Sequence, residues 1–267
     1  MTCKRHRRPM DFYLYPLIIL AGFLTGFINT LAGAGSAVSL ALMSFIGLPL
    51  DLANGTNRVA ILMQNVIGVR GFHKAGLMDW RMGLWLALPA AIGSALGAWL
   101  ASVMSAAHLQ TAIGILMLVI LVLLFLRPKR WLEGQKDMHG TRPTPAQFMI
   151  FFAIGIYGGF IQMGVGIFLL TGLVMGAGYD LVRANALKVL IVLSFTIFAL
   201  TVFIWSDLVR WDIGLILGLG NMAGAWVATK QAARRGAPFV RWLLIVIVAI
   251  AALKYLGILS LVLDRAV

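Results

Sequence analysis

The chain has 267 residues, 61% of them hydrophobic and only 12% charged. Soluble domains carry about 25% charged residues, so a chain this poor in charge cannot cover itself with a hydrated surface. That excludes a soluble enzyme module, and residues 1–267 are expected to form a single transmembrane domain with no catalytic role. The formal net charge of +13 does not mark a nucleic-acid partner, because Lys and Arg fall in short gaps between apolar runs, where the positive-inside rule places them.

At the N-terminus, Lys4, Arg5, Arg7 and Arg8 precede an apolar run in the outline of a signal peptide. The stretch Ala32-Gly33-Ala34-Gly35 leads into further apolar sequence instead of a polar mature chain, so the first segment is expected to be retained. Cys3 is the single cysteine, which leaves no intrachain disulfide and no thiolate metal cluster to expect.

Apolar runs follow at about 13–33, 37–48, 57–72, 82–103, 109–126, 147–163, 165–177, 184–205, 212–228 and 239–263. A helix needs about 20 residues to cross the hydrocarbon layer. Runs 82–103, 184–205 and 239–263 meet that length, whereas 37–48 and 165–177 are too short for ordinary spans. Both short runs follow a glycine-rich break, and the two breaks are copies of one another. Gly26-Phe27-Ile28-Asn29 matches Gly159-Phe160-Ile161-Gln162, and a glycine pair follows each, Gly33 with Gly35 and Gly164 with Gly166. The second pair lies two residues closer, so the half-sites are not expected to be equivalent. Downstream, Ala53-Asn54-Gly55-Thr56-Asn57 parallels Ala184-Asn185-Ala186-Leu187-Lys188. The chain therefore reads as an internal duplication, repeat 1 over about 12–126 and repeat 2 over about 147–263, joined by the linker 127–146. Each repeat is expected to hold a glycine-broken helix pair followed by three long helices, in an all-α polytopic bundle.

Charge orients the bundle. The linker carries Arg127, Lys129, Arg130, Lys136 and Arg142 against Glu133 and Asp137, which places it in the cytoplasm. The gaps 70–81 and 229–241 are basic as well, whereas 104–108 is free of charge and 206–212 holds Asp207 and Asp212 against Arg210; these last two are expected outside. Run 184–205 crosses once, so the pair 147–177 either crosses twice or re-enters twice. If the first half is built alike, the halves are inverted repeats, a common plan among secondary transporters. The same counting puts the N-terminus outside, against its four basic residues. Either the pair 13–48 crosses once, or the tail departs from the charge rule.

Irregular backbone inside a bilayer must line a cavity or be buried in protein, so paired breaks at matching positions point to a binding site. Helix N-termini after the breaks, near Ser36 and Ile167, offer N–H groups and positive dipole ends that suit an anion. Candidate binding residues are Asn29, Gly33, Gly35, Ser36, Gln162, Gly164 and Gly166 at the breaks, with Thr171 near the second. Asn54, Thr56, Asn57, Asn185 and Lys188 form a second set that opens the following helices. Lys188, and Arg58 beside it in pattern, would balance a translocated negative charge or snorkel to the interface. Gln64 and Asn65 lie deeper and either line the same path or bond a neighbouring helix. The competing reading of the glycines is close helix packing.

No acidic residue lies at the centre of a run, so a proton relay on a mid-membrane carboxylate is not expected. His6, His73, His108 and His139 sit in gaps, no G-x-x-x-x-G-K-[ST] loop is present, and no metal or other cofactor is expected. Trp80, Trp85, Trp205 and Trp211 lie near run ends, as an interfacial belt would place them.

The first break, the Ala53–Arg58 stretch and the later Ala184–Lys188 stretch resemble the sulfite exporter TauE/SafE family of membrane permeases, over about residues 12–263. The resemblance implies a permease for a small sulfur-containing anion such as sulfite or a sulfonate, in a bacterial inner membrane. The expected partners are that anion and membrane lipid, with a homo-oligomer allowed and nucleic acid excluded. A passive anion channel, or a non-transporting membrane scaffold or assembly factor, is the alternative; the short gaps leave a scaffold little loop with which to hold partners.

Overall fold

The computed structural model describes residues 14–104 and 143–255. The N-terminal tail, the run 109–126 and all but the end of the linker lie outside the described residues, as do the four N-terminal cations. Every described element is a helix. Helices α1 (Leu14–Ala32) and α2 (Ser36–Phe45) form the first broken pair, followed by α3 (Leu50–Lys74) and α4 (Trp80–Val103). Helices α5 (Pro145–Phe160) and α6 (Val165–Thr171, prolonged by a π-turn over Gly172–Gly176) form the second, followed by α7 (Leu181–Trp205) and α8 (Trp211–Tyr255). Gly236 interrupts α8, with a non-helical φ of 67° and ψ of −165°.

Local chemistry sets the helix starts. Asp79 caps α4 through the Met82 N–H, and Asp180 caps α7 through the N–H groups of Val182 and Arg183. Thr144 and Gln147 close a reciprocal capping box on α5, with Pro145 at its first position. Helix α3 begins at Leu50 behind Pro49, earlier than the apolar run at 57. Asn54 to Arg58 and Asn185 to Lys188 therefore lie inside their helices instead of opening them, with Arg58 and Lys188 about two turns in. Hydropathy missed these first turns because it registers contact with lipid, and polar residues facing inward do not interrupt a helix.

Four described segments are long and apolar enough to cross a membrane: Leu14–Ala32, Trp80–Val103, Leu181–Trp205 and Trp211–Gly236. Helix α3 matches α7 at 25 residues but turns Asn54, Asn57, Arg58, Gln64 and Asn65 inward, each at most 2% exposed. The outer surface is the reverse, with Leu20, Leu88, Ile92 and Leu219 all more than half exposed. Water would penalise that surface by about 25 cal/mol per Å², whereas lipid does not. The chain is a multi-pass helical membrane protein. Trp80, Trp205 and Trp211 stand exposed at helix ends, at the depth of an interfacial belt.

The two halves exchange their first helices. Helix α1 packs on α8 and α5 packs on α4, each pair through facing small-xxx-small motifs. Gly22 and Gly26 meet the α8 backbone at Leu217 and Asn221, while Gly220 and Gly224 meet α1 at Ile19 and Phe23. Gly93 and Gly97 meet Phe152 and Ile156, and Gly155 and Gly159 meet Ala90 and Ser94. A Cβ at any of these positions would overlap a backbone carbonyl oxygen. Gly26 and Gly159, the heads of the duplicated motif, thus serve packing.

The contacts also fix directions. Helices α1 and α3 both run parallel to α8, since Gly214 lies against Val59, Gly218 against Met63 and Gly71 against Thr229. Helices α5 and α7 run parallel to α4, and α3 opposes α7, with Gly55 at Phe203 and Gly68 at Val189. The Tyr179 hydroxyl donates to Asp79 at 2.6 Å, which joins the loop before α7 to the loop before α4. Gln147 near the start of α5 donates to the Gly176 carbonyl at 2.7 Å, so the second broken pair enters and leaves on one side. That is the even number of crossings expected for the pair 147–177, whose helices are shorter than the four segments long enough to span.

Replacing Gly97 by Leu should drive α4 from α5 and lower the unfolding temperature of the purified protein, as overpacking costs about 1–3 kcal/mol or more. Gly176→Ala, which meets open space, should leave that temperature unchanged in the same fluorescence melt.

Candidate functional site

The breaks touch. Gly33, with φ of 74°, lies so close to Gly166 that a Cβ on either would overlap the other's Cα. Around this crossing Asn29, Gly33, Gln64, Asn65, Gln162, Val165, Gly166, Lys188 and Val192 line a void of about 10 Å³, the smallest that holds one water. Elements of both halves contribute: α1 and its break, α3, the second break and the start of α6, and α7.

Two cations flank it, both buried: Arg58 is 0% exposed and Lys188 2%. Neither snorkels. Each binds the end of the other half's broken helix. The Arg58 guanidinium donates to the carbonyls of Gly158 at 2.6 Å and Gly159 at 2.8 Å, in the last turn of α5. It also donates to Gln162 Oε1 at 2.8 Å and Asn54 Oδ1 at 3.2 Å, and it lies 5.3 Å from the centre of the Phe203 ring. The Lys188 ammonium donates to the carbonyls of Asn29 at 3.1 Å and Thr30 at 2.7 Å, in the last turn of α1, and to Asn185 Oδ1 at 2.6 Å. A helix C-terminus carries about half a negative charge and carbonyls without helical partners, so each cation completes a helix end that a break left open. Among the described residues no Asp or Glu is buried, and neither cation has a carboxylate partner.

The amides form two hydrogen-bonded sets between the helices. Asn29 and Asn221 both donate to Gln64 Oε1, at 3.4 and 3.3 Å. Gln162 accepts from Arg58 and donates to Thr196 Oγ1 at 3.3 Å, from a backbone with φ of 58° that non-glycine residues rarely adopt. Despite the matched sequences, Asn29 lies within α1 while Gln162 lies in the break itself, because α1 continues a further turn and α5 stops at Phe160.

Of the candidate residues expected from sequence, Asn29, Gly33, Gln162, Gly166 and Lys188 line the void. Asn54 and Asn185 stand behind it as partners of Arg58 and Lys188, and Asn54 also donates to the Phe160 carbonyl at 2.8 Å. Gly164, with φ of 75°, turns the chain into α6, and Gly35 packs on the backbone of Thr25 and Asn29. Three expected residues point elsewhere. Thr56 accepts from the Arg210 N–H at 2.9 Å, Asn57 accepts from Ser39 at 2.7 Å, and Ser36 is buried away from the void lining. The helix N-termini are also less open than expected, since the Ile167 N–H is bonded to the Gly164 carbonyl and the Val38 N–H to Gly35. Thr171 bonds back to Ile167 within its own helix. Gln64 and Asn65 line the void. Sequence reading missed Asn221 and Thr196; a lone amide inside the apolar run 212–228 was the signal for the first.

A helical bundle with broken helices meeting in its interior around buried polar groups has the architecture of a membrane transporter. The profile of the Sulfite exporter TauE/SafE family matches residues 18–255, and the chain belongs to that family. A probable membrane transporter protein, ORF9 of Sinorhizobium sp, is 30% identical over 93% of this chain and 94% of its own length. The probable membrane transporter protein YfcA of Escherichia coli K12 is 24% identical over 91% and 90%. YdhB of Bacillus subtilis, named likewise, is 28% identical over 80% and 89%. No solved structure matches. The chain is a membrane transporter and not an enzyme.

Gly166→Ala should separate the two breaks and abolish transport, whereas Gly172→Ala, where a Cβ meets only ordinary contacts, should transport normally. Flux per folded protein, after size-exclusion chromatography, measures both.

Proposed function

We propose that the chain is a secondary transporter of a small anion, and that the anion carries sulfur, as sulfite or a sulfonate does. The observation that carries this reading is the pair of buried cations with no buried carboxylate among the described residues. An isolated charge in the membrane interior is costly, and helix ends offset only part of that cost. An anion entering the void would offset the remainder, whereas a cation would be repelled. Unpartnered buried donors, Arg58 Nε and Asn185 Nδ2, add to this preference.

All three N–H bonds of Lys188 are held by the protein in this conformation. Its role is therefore charge balance through space, while Asn29 and Gln162 orient the anion and the crossing at Gly33 and Gly166 offers backbone. A void the size of one water is too small for a sulfite ion, so the breaks must part to admit it. That closure favours a carrier over an open channel. The inverted-repeat reading fits: α3 opposes its counterpart α7, and each half clasps the other's broken helix. Rocking of one half against the other would then open the void to each side in turn.

Reconstituted into liposomes, the protein should move sulfite or a sulfonate and discriminate against inorganic cations. Lys188→Gln and Gln162→Ala should each lower that flux at least tenfold while the protein stays folded, a loss of about 1.4 kcal/mol or more. Anion flux unchanged in both variants would sink the site; carboxylate flux without sulfite flux would move the substrate class; no flux for any anion would overturn the anion reading.

A further inference from the structure

A second hollow lies elsewhere. Between the last turns of α3 and the stretch of α8 before Gly236 is a cleft of about 580 Å³ that shares no residue with the central void. Arg70 and Lys74 face it from α3, and Lys230 and Arg234 face it from α8. Each pair is spaced i, i+4, so both members share one helix face, and the parallel run of α3 and α8 brings the pairs to the same depth. Like charges at this spacing repel. No carboxylate lines the cleft, and none of the four cations has an acidic partner among the described residues. Asp79, in the neighbouring loop, is engaged by the Tyr179 hydroxyl and the Met82 N–H.

Topology explains basic gaps but not their convergence, because Arg81 and Arg235 signal the same side without lining the cleft. The wall is also partly apolar. Ile67 and Trp226 line it, Trp226 is 58% exposed, and the Lys230 ammonium lies 5.2 Å from the Trp226 ring centre. One turn deeper, Val66 lies on the Arg70 face of α3, and two turns deeper Leu219 lies on the Trp226 face of α8; both are at least half exposed. A free anion would use the cations and leave this apolar track idle, whereas a lipid uses both.

We propose that the cleft binds the phosphate headgroup of an anionic phospholipid, with its acyl chains laid along Val66 and Leu219. The four cations take the phosphate oxygens, and Trp226 marks the headgroup depth. The site rests on none of the substrate reading, so either can fail alone.

The test uses full-length protein in neutral detergent, with phosphatidylglycerol, phosphatidylcholine or inorganic phosphate added. Phosphatidylglycerol should raise the unfolding temperature and remain bound in native mass spectra, and phosphatidylcholine should do neither. Arg70→Gln combined with Arg234→Gln should abolish most of the thermal gain and lower retained lipid at least fivefold. Arg183→Gln, an exposed cation outside the cleft, should change neither. If the double variant does not fold, Lys230→Gln alone should lower retained lipid at least twofold. Equal retention in the cleft variants and the wild type would overturn the proposal. An equal thermal gain from inorganic phosphate would also overturn it, by assigning the cleft to a soluble anion.

Discussion

Each buried cation belongs to one half of the molecule and is held by the broken helix of the other. Arg58 closes the carbonyl end of α5, and Lys188 closes that of α1. Without them, the Gly158, Gly159 and Thr30 carbonyls would lose the donors that hold them in the last turns of two helices, at about 1–3 kcal/mol each. Without the carbonyls, two full charges would stand alone in a medium that cannot hydrate them. Helix ends and cations are therefore tolerable in the bilayer only together. Because the bonds run between halves, the breaks are held against each other at Gly33 and Gly166, and the void between them is closed.

The rest of the bundle brings four helix ends to that depth. Hydrophobicity gives no drive for helices to associate in lipid, so close approach and polar bonds must supply it. The facing glycine motifs of α1 with α8 and of α4 with α5 bring backbones into contact. Polar side chains of α1, α3 and α8 meet where Asn29 and Asn221 both donate to Gln64. The outer faces remain apolar. Small residues at the seams, polar residues at the centre and large apolar residues outside are one sequence solution to lipid as solvent.

Much of this was legible in the sequence. Run lengths and charge poverty gave the membrane, and the copied breaks led to the residues that line the void. The basic gaps 70–81 and 229–241 were legible as one side of the membrane, but not that Arg70, Lys74, Lys230 and Arg234 line one cleft. What stayed hidden was pairwise. Nothing along the chain says that Arg58 reaches Gly158, because that bond depends on α5 stopping at Phe160 and on α7 opposing α3. Nor does the alignment of Asn29 with Gln162 disclose that one sits in a helix and the other in a left-handed turn. Thr56 and Asn57 share the helix of the site residues but not their face, and a motif read as a unit could not separate them.

The exchange of first helices also sets an order of assembly. As the chain leaves the ribosome, α5 emerges beside a finished α4 and finds its glycine seam at once. Helix α1 has no such neighbour, because Gly26 must wait for Asn221. At about 5–20 residues per second, that interval of about 200 residues lasts roughly 10–40 s. Until then the grooved face of α1 lacks the glycine seam of α8. The first described helix to be made is thus the one whose main packing partner is made last.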